Sequence, residues 1–195
     1  MNNNSKTKAL VLIDFINEII DPAGKLAGKG YARFEADHHT LSNVSAALHA
    51  ARATNTLIVY VRLGFSPTYV EQPGSSPLFG GAKKFEALRL GGWGTEIHAS
   101  ISPLSEEVVL TKHRISAFYS TQLDLILRNQ GVSSLLIAGV ATDLAVQSAA
   151  RDAHDRDYDV TVLADCCVAA NEEDHATSLK TLAKISTVTN FESAL

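Results

Sequence analysis

Short runs of aliphatic residues alternate with helix-type patterns along this chain, and this alternation is the feature that most constrains its fold. The runs are bounded mostly by polar or glycine residues and predict buried strands. They lie at residues 9–13, 57–63, 108–110, 135–138, 160–163 and 186–188. Helical spacing of apolar residues fills most gaps, notably at Leu41, Val44, Ala47 and Leu48, at Leu123 to Leu127 and at Leu144 to His154. The pattern predicts a three-layer α/β/α protein with a six-stranded, mainly parallel sheet.

The size and composition of the chain indicate one domain. At 195 residues, 46% of them hydrophobic, residues 1–195 fit a single compact core. The net charge of −4 provides no positive field for a phosphate backbone, so we expect no nucleic-acid partner.

Location is predicted from the opening residues and the cysteines. The opening MNNNSKTK and the short apolar run after it match neither a secretory signal nor a membrane span, so we expect a cytoplasmic protein without a membrane partner. The adjacent Cys166 and Cys167 are interpreted as small buried hydrophobic residues in a reducing compartment.

One long segment breaks the alternation. The stretch from Gly64 to Ser105 holds seven of the twelve glycines and four of the five prolines, and it shows no sustained period. Such an insertion within a compact domain is usually functional or mobile. Two interpretations stay open: a lid over the site, or a crossover with a short helix around Ala82 to Leu90.

The residues that follow the strands carry the functional prediction, because open α/β sheets bind ligands at the carboxyl ends of their strands. These residues are Asp14, Gly64, Lys112, the Gly139–Asp143 turn and Asp165. They bring an acid, a base and a tight turn to one edge. Taken singly, Asp14 is also compatible with capping the next turn, and Lys112 is also compatible with a solvated strand end.

The turn at Gly139–Asp143 leads into a helix for which Thr142 is the predicted N-cap. Ala145 then lies in the first helical turn, where free N–H groups and the helix dipole stabilise an oxyanion or a thiolate. A tight connection without any ligand is the alternative interpretation.

Taken together, these segments resemble a known family. The blocks LVLIDFINE, TKHRISAFYSTQLD and IAGVATDLAVQSAARDA, followed by VLADCCVAA, are similar in order and spacing to the isochorismatase-like (cysteine hydrolase) superfamily. The resemblance spans nearly the whole chain. It implies a Rossmann-like topology and a small-molecule hydrolase, acting on a non-peptide C–N bond of an amide or ureide.

The resemblance also implies roles for individual residues. Asp14 matches the aspartate that serves as general base and then as proton donor to the leaving group. Lys112 matches the lysine that keeps this aspartate ionised. Val140 and Ala141 fall where the family has a cis peptide bond, and the backbone N–H groups of Ala141 and Ala145 would form the oxyanion hole.

The match departs from the family at Ala145, where the amidohydrolases carry their nucleophilic cysteine. Three explanations stay open. In the first, the chain is an engineered, inactive Cys→Ala variant of a thiol amidohydrolase. In the second, it is a natural member that, like the isochorismatases, needs no nucleophile and uses Asp14 as general acid on a vinyl ether. The third is a catalytically inactive binding protein. For the thiol route, the helix dipole and Lys112 would lower the pKa of a cysteine at this position.

Other ligands and contacts are predicted as follows. Nicotinamidases hold a metal through histidines after the second strand, and RLGFSPTYVEQPG has none, so we predict neither a metal nor another cofactor. His38 and His39 are interpreted as solvated surface residues. The resemblance suggests a homo-oligomer. Candidate substrate-binding residues, chosen for charge or aromatic surface, are Phe15, Arg62, Phe65, Tyr69, Trp93, Arg114 and Tyr119. Arg114 could instead be a solvated or subunit-facing charge.

Overall fold

A single twisted sheet organises the chain. The structure is a computed structural model that describes residues 7–195, so most of the polar opening segment lies outside the described residues. The six strands are β1 (Thr7–Ile13), β2 (Leu57–Leu63), β3 (Val108–Lys112), β4 (Val132–Val140), β5 (Asp159–Val168) and β6 (Thr187–Thr189). They lie in the order β3-β2-β1-β4-β5-β6, and every neighbouring pair is parallel. The prediction of an α/β fold is confirmed, and the sheet is parallel throughout.

Helices cover both faces of this sheet. They are α1 (Asn17–Ile20), α2 (Tyr31–His38), α3 (Thr40–Ala53), α4 (Leu123–Asn129), α5 (Gln147–His154), α6 (Glu172–Leu182) and α7 (Phe191–Ala194). A π-helical turn at Thr142–Val146 precedes α5. No helix of the described residues is both long and apolar enough to cross a membrane.

Two hydrophobic cores follow from the alternation of side chains along the strands. Leu10 and Leu12 of β1 face one core, where α3 contributes Val44 and Leu48. Ala9, Val11 and Ile13 of β1 face the other core. Buried residues of α4, α5 and α6 complete this second core: Leu123, Leu127, Ala149, Ala150, Ala153 and Leu182. Within these three layers, the ends of the parallel strands converge at the carboxyl edge of the sheet.

Strand boundaries differ from the prediction on this edge. Lys112 is the last residue of β3 rather than the first residue after it. Asp165 lies inside β5, because the β4–β5 pairing shifts register between Ile137 and Gly139 and continues to Val168. Asp165 accepts a hydrogen bond from the Phe191 N–H through Oδ1, at 3.0 Å. It therefore anchors α7.

The segment from Gly64 to Ser105 is irregular, as the sequence suggests, and the helix expected around Ala82 to Leu90 is absent. Positive φ angles at Glu86 (49°) and Leu88 (58°) interrupt any helix there. The ends of the loop between Phe65 and Leu90 meet. The Phe65 N–H donates to the Leu88 carbonyl at 2.7 Å, and the Leu90 N–H donates to the Phe65 carbonyl at 2.8 Å.

Side chains from outside this loop hold it in place. Lys25 Nζ donates to the carbonyls of Phe85 and Glu86, at 3.2 and 2.7 Å. The buried carboxylate of Glu18 accepts the Leu88 N–H at 2.9 Å. These bonds fix the loop against α1 and the turn after it, so that its residues 77–88 form part of a cavity wall.

We expect Gly139→Ala to destabilise the protein by about 1–3 kcal/mol, the usual cost of overpacking a core. A Cβ at Gly139 would lie 2.9 Å from both Cβ and the carbonyl oxygen of Ile13 on the adjacent strand. Urea denaturation measures the change. Gly74→Ala is the matched control, because a Cβ there has no heavy atom within 4 Å; an equal loss in both variants would contradict the close approach of β1 and β4.

Candidate active site

Asp14 follows the last residue of β1, at the centre of the sheet. Its φ of 59° is in the left-handed region, which aspartate tolerates better than most residues. The Asp14 N–H donates to the Val61 carbonyl of β2 at 2.9 Å. The residue is 3% exposed, and its Oδ1 is buried without a hydrogen-bond partner among the described residues. This oxygen is free to accept a proton or a hydrogen bond from a ligand.

Lys112 reaches the same point from the end of β3. Its Nζ lies 2.6 Å from Oδ2 of Asp14 and also donates to the carbonyls of Arg114 and Ile115, at 3.1 and 2.8 Å. Burial raises the pKa of Asp14 from 3.8 to about 6, although the positive charge of Lys112 acts to lower it. Asp14 can therefore exchange a proton near neutral pH, which suits a general acid or base.

The turn after β4 provides the third element. The peptide bond between Val140 and Ala141 is cis, as the resemblance implies. Thr142 does not act as the predicted N-cap: its hydroxyl donates to the Val168 carbonyl at 3.1 Å and lies 2.9 Å from Nδ1 of His175. Because the hydroxyl hydrogen is used on Val168, the His175 ring nitrogen is the donor to Thr142. The side chain thus ties the turn to β5 and α6.

Ala145 lies in the π-helical turn and is 3% exposed. Such turns occur frequently at functional sites. Ala145, Ala141, Asp14 and Lys112 all line one cavity of 690 Å³. The structure therefore brings together the ion pair, the cis peptide and Ala145, for which the resemblance implies the position of a thiol. The roles assigned to these residues remain predictions.

The residues predicted to bind substrate lie elsewhere, and none of them lines this cavity. Phe15, Phe65 and Tyr69 belong to the core, and the Tyr69 hydroxyl donates to the Ala87 carbonyl at 3.0 Å. These three aromatic side chains are therefore buried inside the protein rather than at the cavity wall, and their role as substrate contacts stays a prediction.

The remaining four residues of that prediction also lie outside the cavity. Arg62 donates to the Thr111 hydroxyl and the Thr95 carbonyl. Arg114 donates to the carbonyls of Glu71 and His113, which fix its guanidinium to the backbone. Trp93 and Tyr119 are 48% and 60% exposed and lie outside the cavity.

The actual cavity walls come largely from residues that the sequence pattern did not single out. They include Lys25, Lys29 and Tyr31 near α2, Ile19 of α1, and the loop residues Leu78, Phe79 and Phe85. Burial and the nearby carboxylates of Asp143 and Asp174 raise the pKa of Tyr31. No periodic pattern marks these residues, because the loop meets the rest of the chain only through tertiary contacts.

The cysteines and histidines lie outside the cavity. Cys166 and Cys167 are buried in β5 as free thiols, and burial raises the pKa of both. His38 is exposed, stacks on Phe34 and pairs with Glu172; His39 is exposed as well. Across residues 7–195, no group of three or more histidine, cysteine, aspartate or glutamate side chains could hold a metal ion.

Comparisons with known proteins agree with this geometry. A sequence model of the Isochorismatase domain matches residues 8–193. The chain is 31% identical to the ureidoacrylate amidohydrolase RutB of Methylobacterium radiotolerans, over 97% of this chain and 80% of that protein. An isochorismatase family protein from Desulfovibrio vulgaris has a similar structure, with a TM-score of 0.86 and 27% identity over 97% of this chain and 96% of that one. N-carbamoylsarcosine amidase from Thermoplasma acidophilum gives a TM-score of 0.74 and 26% identity, covering 95% and 97%.

We expect the carboxyl carbon of Asp14 to titrate in NMR spectra with a midpoint of about 6, and its resonance to be absent from Asp14→Asn. Because Lys112 lowers this pKa, Lys112→Met is expected to raise the midpoint further. Lys83→Met, which removes an exposed lysine outside the cavity, is the control and should leave it unchanged.

The same shift has a consequence for stability. The native state holds the Asp14 proton more tightly than the unfolded state does, so this group's contribution to stability falls as the pH rises from 3.8 to about 6. A midpoint of the Asp14 NMR titration near 4, or a midpoint that Lys112→Met does not move, would show that the Asp14–Lys112 pair is not buried as described.

Proposed function

The chain belongs to the isochorismatase family, and on that basis we propose that its site is built to hydrolyse a C–N bond of a small amide or ureide. Ala145 occupies the position of the attacking thiol. The observation that carries the proposal is the unpartnered Oδ1 of Asp14, in the same cavity as Ala145 and 2.6 Å from Lys112 through the other carboxylate oxygen. The names of the relatives RutB and N-carbamoylsarcosine amidase support this bond type.

The reaction requires a thiol or hydroxyl nucleophile; none of the described residues that line the cavity is a cysteine, serine or threonine, and Ala145→Cys would supply a thiol. Asp14 would take the thiol proton, and the thiolate would attack the carbonyl carbon. The backbone N–H groups of Ala141 and Ala145 would stabilise the resulting oxyanion. Cleavage of the C–N bond would transfer the proton from Asp14 to the leaving nitrogen and leave a thioester. Water would then release the acid and restore the thiol.

In the chain as it stands, the same groups would bind an amide without forming that thioester. Alanine has no atom that can attack a carbonyl carbon. The two cysteines cannot substitute for it, because both are buried in β5 outside the cavity. With Ala145 at this position, the site can bind a substrate but cannot form a covalent bond to it.

We expect Ala145→Cys to release ammonia or an amine from a panel of ureidoacrylate, N-carbamoylsarcosine, nicotinamide and simple carboxamides. The unchanged chain should be at least about a hundredfold slower, the scale of effect of losing a catalytic group. Ala145→Ser is the matched control, since a hydroxyl is a much weaker nucleophile than a thiol, and Asp14→Asn in the Ala145→Cys background should abolish the gain. No release by a folded Ala145→Cys protein from any member would refute the proposal for that panel.

A second function, hydrolysis of a vinyl ether without a nucleophile, is favoured by one observation. The pKa of Asp14 is raised to about 6, so part of this carboxyl group stays protonated near neutral pH. Asp14 could then donate its proton to the vinyl carbon, and water would add to the carbon that bears the ether oxygen. The resulting hemiketal would break down to a ketone and an alcohol.

If the second function is correct, the unchanged chain should hydrolyse isochorismate. Its kcat/KM should then fall as the pH rises above about 6, where Asp14 loses its proton. Asp14→Asn should abolish this activity, whereas Lys83→Met should retain it. A pH-independent rate, or no turnover of isochorismate, would exclude this chemistry. Absence of both activities would favour the third alternative, a catalytically inactive binding protein.

A further inference from the structure

The cavity beside Asp14 is large and mostly apolar. Its volume of 690 Å³ lies within the range of about 300–1,000 Å³ typical of sites for drug-sized ligands. Aliphatic and aromatic side chains supply most of its walls, among them Ile19, Leu26, Leu63, Phe79, Leu88 and Ile115. A short polar amide placed at Asp14 would leave most of this surface without a partner.

Polar side chains lie at two separate depths of the cavity. The Asp14–Lys112 pair is buried, with exposures of 3% and 1%. Lys25, Lys29 and Tyr31 lie nearer to solvent, and Lys25 is occupied by the carbonyls of Phe85 and Glu86. The intervening walls offer few side-chain hydrogen-bond groups. A ligand that fills the cavity must therefore be apolar between its polar ends.

Two wall residues place apolar surface at the solvent side as well. Leu78 is 41% exposed and Phe85 is 65% exposed, and both line the cavity. Exposed large apolar side chains at the rim of a cleft are typical of sites that bind apolar groups. The apolar wall is thus continuous from the buried ion pair to the surface.

We propose that the ligand of this cavity is a carboxamide or ureide with a large apolar substituent, namely a linear, branched or aromatic hydrocarbon group. The amide end lies at Asp14, and the hydrocarbon group lies against the loop between Phe65 and Leu90. This inference rests on the proposed function for the identity of the polar end. It depends on the wall residues alone for the apolar end.

The test is direct binding to the unchanged chain, which cannot form a thioester. Dissociation constants are measured by calorimetry for linear primary carboxamides from acetamide to octanamide, and for 4-phenylbutanamide. Each added methylene group that is buried should lower Kd about three- to fourfold, the effect of removing one such group from water. Equal Kd values along the series would overturn the proposal.

Two variants examine the contribution of the wall, with a matched control. Leu78→Ser and Phe85→Ser should each raise Kd for octanamide severalfold and leave that for acetamide unchanged. Both residues are partly exposed, so the substitutions do not open the core. Val70→Ser changes an 81% exposed residue of the same loop that does not line the cavity, and it should have no effect. An equal effect of all three variants would overturn the assignment.

The outcomes separate this inference from the proposed function. If Ala145→Cys hydrolyses amides but binding is insensitive to chain length, the function stands and the apolar ligand is wrong. If binding tightens with chain length but Ala145→Cys hydrolyses none of the amides, the apolar assignment stands and the proposed chemistry is wrong.

Octan-1-ol, which has no amide group, serves as the reference for the polar end of the ligand. Binding as tight as that of octanamide would overturn the placement of an amide at Asp14.

Discussion

The ion pair between Asp14 and Lys112 is the interaction on which the site depends. Asp14 follows β1 and Lys112 ends β3, and β2 lies between these two strands, so the pair spans three strands at the carboxyl edge. Removing two charges from water costs several kcal/mol for each ion, and a buried pair persists only where its geometry and hydrogen bonds offset that cost. Lys112 meets this condition by donating to two backbone carbonyls besides the carboxylate. It thereby also fixes the start of the chain after β3.

The sheet and the loop between Phe65 and Leu90 contribute different parts of the site. Strand ends hold the charged groups and the cis peptide, where neighbouring strands and the Thr142 hydroxyl allow little change of position. The loop between Phe65 and Leu90 contributes mainly apolar surface, and hydrogen bonds with Glu18, Lys25 and Arg114 hold it in place. A reactive edge on strand ends and a separately anchored wall allow one fold to keep its site geometry while the wall varies.

Much of the fold could be predicted because aliphatic runs and helical spacing are local signals. The same signals placed Asp14 and Lys112 at one edge, since parallel strands end together. The structure places the seven predicted contact residues outside the cavity for a physical reason: charge and aromatic character show what a side chain can bind, but not which way its segment turns. Phe65 illustrates this point, because two backbone hydrogen bonds to the far end of the loop direct it into the core. The wall residues Lys25 and Leu78 were missed because they meet only through tertiary contacts.

Backbone pairing of Phe65 with Leu88 and Leu90 closes residues 66–87 into a loop whose two ends are adjacent. Its two attachment points are adjacent, so a replacement of different length could span them without stretching or displacing the strands. The entropy of closing such a loop grows only slowly with its length. The same segment packs into the core through Tyr69 and Phe79, so its length is freer to vary than its buried residues are.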